Sequence, residues 1–343
     1  MQRIDTHSHA VPQGWRKYCM ELGWEKPDGM AGIPDWSAEE HLDLMKRAHI
    51  SKSILSITSP GTYLAPGDDK LCRRITRETN AELGTICKAY PDHFSFFASL
   101  PLPDVEGSVS EVDYALDHLG AKGFLLLTNS NGVYLGEPCL DKVFEKLNQR
   151  KSIVMLHPTT CQLCPHSGSA AAQNERSQEA VPLPSYPRPM LEFFFDTARA
   201  VTHLILSGTV QRNPDITFIV PHCGAVLPPI VERFTSYSAR VYGTNSVSTQ
   251  DVRQLFKTRF FFDLAGFPFP DQIHGLLRFT DASRLLYGTD FPFLPAEAVI
   301  DSMQRNDEEV EALFGDDLKK RIYFENAREL LDLGADCSED RWS

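Results

Sequence analysis

Short apolar runs separated by helical patterns recur along the chain about eight times, and this rhythm constrains the fold more than any other feature. A strand, a helical crossover and a second strand make a parallel sheet buried on both faces. The runs are Ile4 to His9, Ser53 to Thr58, Phe94 to Leu100, Gly123 to Thr128, Ile153 to His157, Ile216 to His222, Arg259 to Leu264 and Leu285 to Asp290. Helical patterns fall between them: a segment opened by Ser37 and Glu40 as a capping box, then Asp69 to Ala89, Glu106 to His118, Cys139 to Arg150, Met190 to Leu206 and Leu227 to Ala239. Acidic helices from Ala296 to Leu333 follow the last strand, and Val11 to Asp35, rich in Gly, Pro and Trp, reads as a loop. A doubly wound open sheet would carry a glycine-rich phosphate turn after an early strand, and none is present. Eight units in a chain of 343 residues fit one α/β domain, a (β/α)8 TIM-like barrel over residues 1–333, with residues 334–343 a disordered tail. The polar, Pro-rich insertion Pro158 to Pro189 after the fifth strand is longer than ordinary barrel loops and reads as a lid.

Active sites of such barrels lie at the C-terminal ends of the strands. His7 and His9, two apart on the first strand, share a face, and His157, His222 and Asp290 end strands five, six and eight. Singly, each is as easily a satisfied core histidine or a capping carboxylate; five together point to a site. Imidazoles and a carboxylate with an open position suit one divalent ion, zinc first and manganese second. Phe291 and Phe293 are candidates for an apolar substrate pocket, and Arg240 is a further candidate there. The run Phe193 to Phe195 reads either as pocket wall or as the ordinary core face of a helix.

Composition excludes several classes. A net charge of -12, with no basic run longer than three residues, argues against a nucleic-acid surface. The N-terminus enters the first strand without a charged lead and apolar run, and no apolar stretch approaches the ~20 residues that span a bilayer, so a soluble, cytoplasmic protein is expected. The eight cysteines are scattered and expected to be reduced thiols; Cys161 and Cys164 lack the second pair of a four-thiolate zinc site.

The stretches Asp5-Thr6-His7-Ser8-His9, Leu156-His157-Pro158, Leu206 to Asp215 leading to Pro221-His222-Cys223-Gly224, Glu232-Arg233-Phe234 and Tyr287-Gly288-Thr289-Asp290-Phe291-Pro292 together resemble the amidohydrolase superfamily. Specifically the chain resembles its metal-dependent decarboxylase branch, which includes aminocarboxymuconate semialdehyde decarboxylase, and within that branch the fungal 6-methylsalicylate decarboxylases. The resemblance implies that His7, His9, His157 and Asp290 hold the metal and that His222 acts as acid/base. It also implies a homodimer, a small aromatic carboxylic acid as substrate and no organic cofactor. Two departures stand out: Ala225 replaces a frequent second glycine, and Val11 to Asp35 lacks an arginine placed to hold a second carboxylate. A binuclear member would need a lysine ending the fourth strand, where Leu125 to Asn129 has none, and a deaminase would need a glutamate beside the metal.

The reaction implied is loss of carbon dioxide from a 2-hydroxybenzoate, first of all 6-methylsalicylate giving 3-methylphenol in a polyketide pathway. Either Asp290 or His222 would deliver the ring proton. The alternatives are a metal-dependent hydrolase of a small ester, lactone or amide, and, more remotely, an inactive barrel serving as a binding module.

Overall fold

The computed structural model describes residues 1–163, 178–243 and 246–333. The strands are β1 Arg3–His9, β2 Ile50–Ser56, β3 Phe94–Ser99, β4 Gly123–Leu127, β5 Asn129–Ser130, β6 Val133–Tyr134, β7 Ile153–His157, β8 Gln162–Leu163, β9 Gln178–Glu179, β10 Thr217–Val220, β11 Phe260–Asp263 and β12 Leu285–Leu286. Eight of them form one sheet in the order β1-β2-β3-β4-β7-β10-β11-β12, all paired in parallel, while β5 with β6 and β8 with β9 make two small antiparallel hairpins. The ring closes after β12, where Thr6 N–H donates to the Tyr287 carbonyl and His9 N–H to that of Phe291. The chain is thus the expected (β/α)8 barrel.

The helices are α1 Gln13–Glu21, α2 Ala38–Arg47, α3 Asp69–Ala89, α4 Val105–Tyr114, α5 Asp141–Gln149, α6 Glu192–Leu206, α7 Thr209–Arg212, α8 Leu227–Tyr242, α9 Thr249–Thr258, α10 Gln272–Leu276, α11 Ala296–Lys320 and α12 Asn326–Leu330. Helix α1 corrects the reading of Val11 to Asp35 as loop: Trp15 and Cys19, four apart, bury one face, and the Trp15 indole donates to the Gly61 carbonyl. Helix α9 is a second element not anticipated; its capping box is made by Ser248 and Asp251. At α2 the Ser37 side chain accepts from Glu40 N–H, as the sequence suggested. Among the described residues no helix is long and apolar enough to cross a membrane. The tail 334–343 lies outside the described residues.

Two apolar layers hold the barrel. Inside, every sheet strand contributes one side chain, Ile4, Ile54, Phe97, Leu125, Met155, Ile219, Phe261 and Leu286, and Phe324, Ala327 and Leu331 close this layer where the strands begin. The Asn326 amide ties that plug to the carbonyls of Ala282 and Leu285. Full burial of each large aliphatic or aromatic member stabilises the fold by about 1.5–3 kcal/mol. Outside, a larger layer packs strands against helices. The histidines of the sheet lie at the other end of the barrel, where β1 and β7 finish.

One buried histidine belongs to this frame. His41 on α2 is 1% exposed, accepts from the Trp36 indole and meets Phe94 and Phe291 edge-on. Burial, aided by the nearby His9, lowers its pKa to about 3. Above pH ~6.5 neither folded nor unfolded chain is protonated there; below it the unfolded chain takes up the proton first, and folding loses up to about 1.4 kcal/mol per pH unit. From pH 7.5 to 5 the stability advantage of the wild type over His41→Leu should therefore shrink by about 2 kcal/mol in denaturant titrations. A gap that stays constant would mean that His41 titrates alike in both states.

Candidate metal centre and active site

Three imidazoles meet at the open end of the barrel because β1 and β7, on opposite sides of the ring, both finish there. The rings of His7 and His9 are 5.1 Å apart, His9 and His157 4.8 Å, and His7 and His157 5.5 Å. The register of β1 against β2 shifts between Asp5 and Ser8, a bulge at the residues that aim His7 and His9 inward. Asp290 arrives from the neighbouring strand that closes the ring against β1. It lies beyond β12 rather than on it, with φ 61°, so the last strand is shorter than the run Leu285 to Asp290 suggested. Gly288 is required at this crossing, since a Cβ there would stand 2.8 Å from that of His7.

Each imidazole is held by its outer nitrogen. His7 Nδ1 lies 3.0 Å from Asp263 Oδ2, His9 Nδ1 3.1 Å from Ser56 Oγ, and His157 Nδ1 2.7 Å from the Pro158 carbonyl. Ser56 spends its own proton on the Ser8 carbonyl, so toward His9 it accepts. All three arrangements put the proton on Nδ1 and leave Nε2 as a lone pair. The buried Nε2 atoms of His7 and His9 have no hydrogen-bond partner and stand 3.6 and 3.2 Å from Asp290 Oδ1. One ligand atom from each of His7, His9, His157 and Asp290 lies within 4.8 Å of the others. Three inward lone pairs and a carboxylate fit a divalent cation and little else.

Electrostatics agree with that fit. Burial pushes the pKa of all three imidazoles down, and His9 and His157 stay below their usual value. At His7 burial is outweighed by Asp263 first and then by Asp290, which lift it to about 9. Burial would raise Asp290 and Asp263 as well, yet the surrounding histidines hold both below the usual carboxylate range. The carboxylates flanking His7 thus favour positive charge at this point, whichever cation carries it.

His222 also lies past its strand, in the turn after β10. Four consecutive residues, His222, Cys223, Gly224 and Ala225, have φ of 53°, 54°, 77° and 52°. Left-handed backbone costs about 1–2 kcal/mol at each non-glycine residue, so outside bonds must hold this turn. Asp263 Oδ1 accepts from His222 N–H, and the Gln272 amide donates to the carbonyls of His222 and Ala225. The imidazole is then stacked on Phe194 at 5.8 Å, with Nε2 3.6 Å from Asp290 Oδ2.

His157, His222 and Asp290 line one end of a cavity of about 270 Å³. The remaining wall is mostly apolar, with Met30, Met190, Phe193, Phe194, Phe267 and Phe293, plus Thr58, Ser59 and Asp28. Of the pocket candidates, Phe293 lines the cavity and meets His9 edge-on at 5.6 Å. Phe291 does not: it is buried against His41 in the core. Arg240 is away from the cavity, exposed on α8 with its guanidinium 5.7 Å from the Tyr237 ring, because its position in the helix faces solvent. The run on α6 divides: Phe193 and Phe194 face the cavity and Phe195 is 40% exposed. From the insertion, Pro189 and Met190 wall the cavity, whereas residues 164–177, with Cys164, lie outside the described residues. Cys161 is a buried free thiol beside the Tyr134 hydroxyl.

Sequence reasoning missed Asp263 and Asp28. Asp263 is 0% exposed and ends β11 in an otherwise apolar Phe260-Phe261-Phe262 run; a lone carboxylate closing such a run was the available signal. Asp28, at φ 55°, is held by the N–H and hydroxyl of Thr160.

The amidohydrolase family matches residues 4–333. Decarboxylase yanB of Aspergillus niger is 32% identical over 308 residues, covering 87% of this chain and 79% of its own. A 6-methylsalicylic acid decarboxylase of Penicillium expansum is 29% identical over 303 residues, 88% of each chain. A crystal structure described as an amidohydrolase II superposes with a TM-score of 0.81 at 30% identity, over 96% of this chain and 99% of the other. The chain therefore belongs to the amidohydrolase family, on its decarboxylase branch, and is an enzyme of the carboxy-lyase class.

Proposed function

We propose that the protein removes carbon dioxide from a 2-hydroxybenzoate without oxidation or hydrolysis, with 6-methylsalicylate as the first substrate to test and 3-methylphenol as its product. The observation that carries this reading is the convergence of His7, His9, His157 and Asp290 into one cluster, of which His157 and Asp290 line a largely apolar cavity. None of the described side chains lining that cavity is an arginine or lysine, and Asp28 stands in its wall. A second carboxylate would thus meet a buried carboxyl group and, among the described side chains of that wall, no arginine or lysine to hold it, which favours a substrate with one carboxylate. The 6-methylsalicylic acid decarboxylase of Penicillium expansum lends the ring its methyl group.

A divalent ion held by His7, His9, His157 and Asp290, zinc or manganese, would act as a Lewis acid toward the substrate's carboxylate and ortho oxygen. The chain's own residues supply the rest. Phe193, Phe194, Phe293 and Met190 sandwich an aromatic ring and exclude water. Asp290 Oδ1 faces His7 and His9, and its other oxygen, Oδ2, faces His222 Nε2 at 3.6 Å, so one carboxylate stands between the cation site and His222. We assign the proton donor as His222, stacked on Phe194 in the cavity wall. Its proton goes to the ring carbon that bears the carboxyl group; the bond from that carbon to the carboxylate then breaks, carbon dioxide leaves, and the electron pair restores the aromatic ring. No redox cofactor enters this balance.

Three outcomes are expected. Purified wild type should carry one equivalent of divalent metal by elemental analysis, and His7→Ala little or none; equal content in both would remove His7 from the site. His222→Asn should keep its metal and lose turnover by roughly 10²–10⁴-fold, the usual contribution of a general acid; near-normal rates would remove His222 from the chemistry. Turnover of 6-methylsalicylate in deuterium oxide should place one deuterium on the ring of the phenol. Solvent ¹⁸O in an acid product, with no deuterium on the ring, would instead establish hydrolysis.

A further inference from the structure

We infer that Asp263 is a positioning residue whose two carboxylate oxygens do separate tasks, one fixing the ring of His7 for the metal and the other fixing the turn that carries His222. The carboxylate is wholly buried at the end of β11, between the two. Oδ1 accepts from two main-chain groups, His222 N–H at 3.0 Å and Ala265 N–H at 3.1 Å. Oδ2 is left for His7 Nδ1 at 3.0 Å. An ionised carboxylate only accepts, so Nδ1 must carry its proton and Nε2 must present its lone pair to the cation site. The same side chain is one of two that hold the left-handed turn from outside; the other, Gln272, binds the carbonyls of His222 and Ala225 and does not touch His7. Cation binding and placement of the proton donor are therefore coupled through one rigid group.

The asymmetry of the donors makes the two tasks separable. In Asp263→Asn the amide oxygen must stay toward the two N–H groups, since turning the amide over would set its NH2 against both. The NH2 then faces His7 Nδ1 and donates to it, which moves the ring proton to Nε2 and blocks ligation there. A change of tautomer with geometry preserved is the logic by which the aspartate-to-asparagine change disables the serine-protease triad.

The test compares Asp263→Asn with Gln272→Leu, using zinc and manganese alone as probes. Asp263→Asn should fold, melt close to the metal-free wild type and bind either ion 10–100-fold more weakly in chelator competition, the usual effect of removing such a partner. Gln272→Leu should bind metal as the wild type does and lower kcat with KM unchanged. In the zinc-loaded wild type the His7 Nδ1 proton should appear as a slowly exchanging, far-downfield imidazole resonance, an observation that needs no variant to fold. Wild-type metal affinity in Asp263→Asn, a His7 ring without that proton, or equal loss of metal affinity in both variants would each overturn the inference. Affinity and ring protonation are read without substrate, so they decide the matter even if the decarboxylation proposed above fails.

Discussion

One buried carboxylate reinforces the main-chain bonds that close the barrel. Asp5, wholly buried on β1, accepts from its neighbour His7 N–H and from both the N–H and the hydroxyl of Thr289, the hydroxyl at 2.6 Å. These bonds join the first strand to the segment after the last and leave Asp290, one residue on, facing His7 and His9. Burial raises the Asp5 pKa to about 7 despite the donors around it, so the group is kept at an electrostatic cost. What it secures is register: a slip of one residue along β1 would turn both histidines away from the interior. Closure of the fold and assembly of the metal centre are one event.

That coincidence explains why the site was so legible. Histidines and an aspartate at the ends of apolar runs stand out against Ile, Leu and Phe, and the parallel barrel gathers such ends at one mouth. His7, His9, His157, His222 and Asp290 could all be placed there from their positions in the chain. What could not be read was how the last two reach the centre. Both leave their strands and stand on left-handed backbone, His222 at φ 53° and Asp290 at φ 61°, conformations that their side chains do not announce.

The remaining misses have equally local causes. Asp263 depends for its meaning on His7, 256 residues away in the chain, and no pattern within its own strand reveals that partner. Phe291 and Phe293 are both aromatic beside Asp290, but only the second turns to the cavity, a choice made by the turn and by the space beside His41. Arg240, a pocket candidate in the sequence, is exposed on α8 beside the Tyr237 ring, a placement set by helical phase. Helix α1 was hidden by Pro12 and Gly14 at its start, although the spacing of Trp15 and Cys19 carried the helical period. Long-range partners and turn geometry escape a reading by periods, whereas strand ends do not.

The bond between Asp5 and Thr289 spans 284 residues. During synthesis the N-terminal strand, with two of the histidines, leaves the ribosome long before the segment that will seal it, and non-local contacts of this range are slow to form. Until then β1 has a free edge, and its buried carboxylate and imidazoles lack their partners. His7, His9 and His157 are therefore made well before Asp290, and the four-ligand site exists only once the segment after β12 has reached β1.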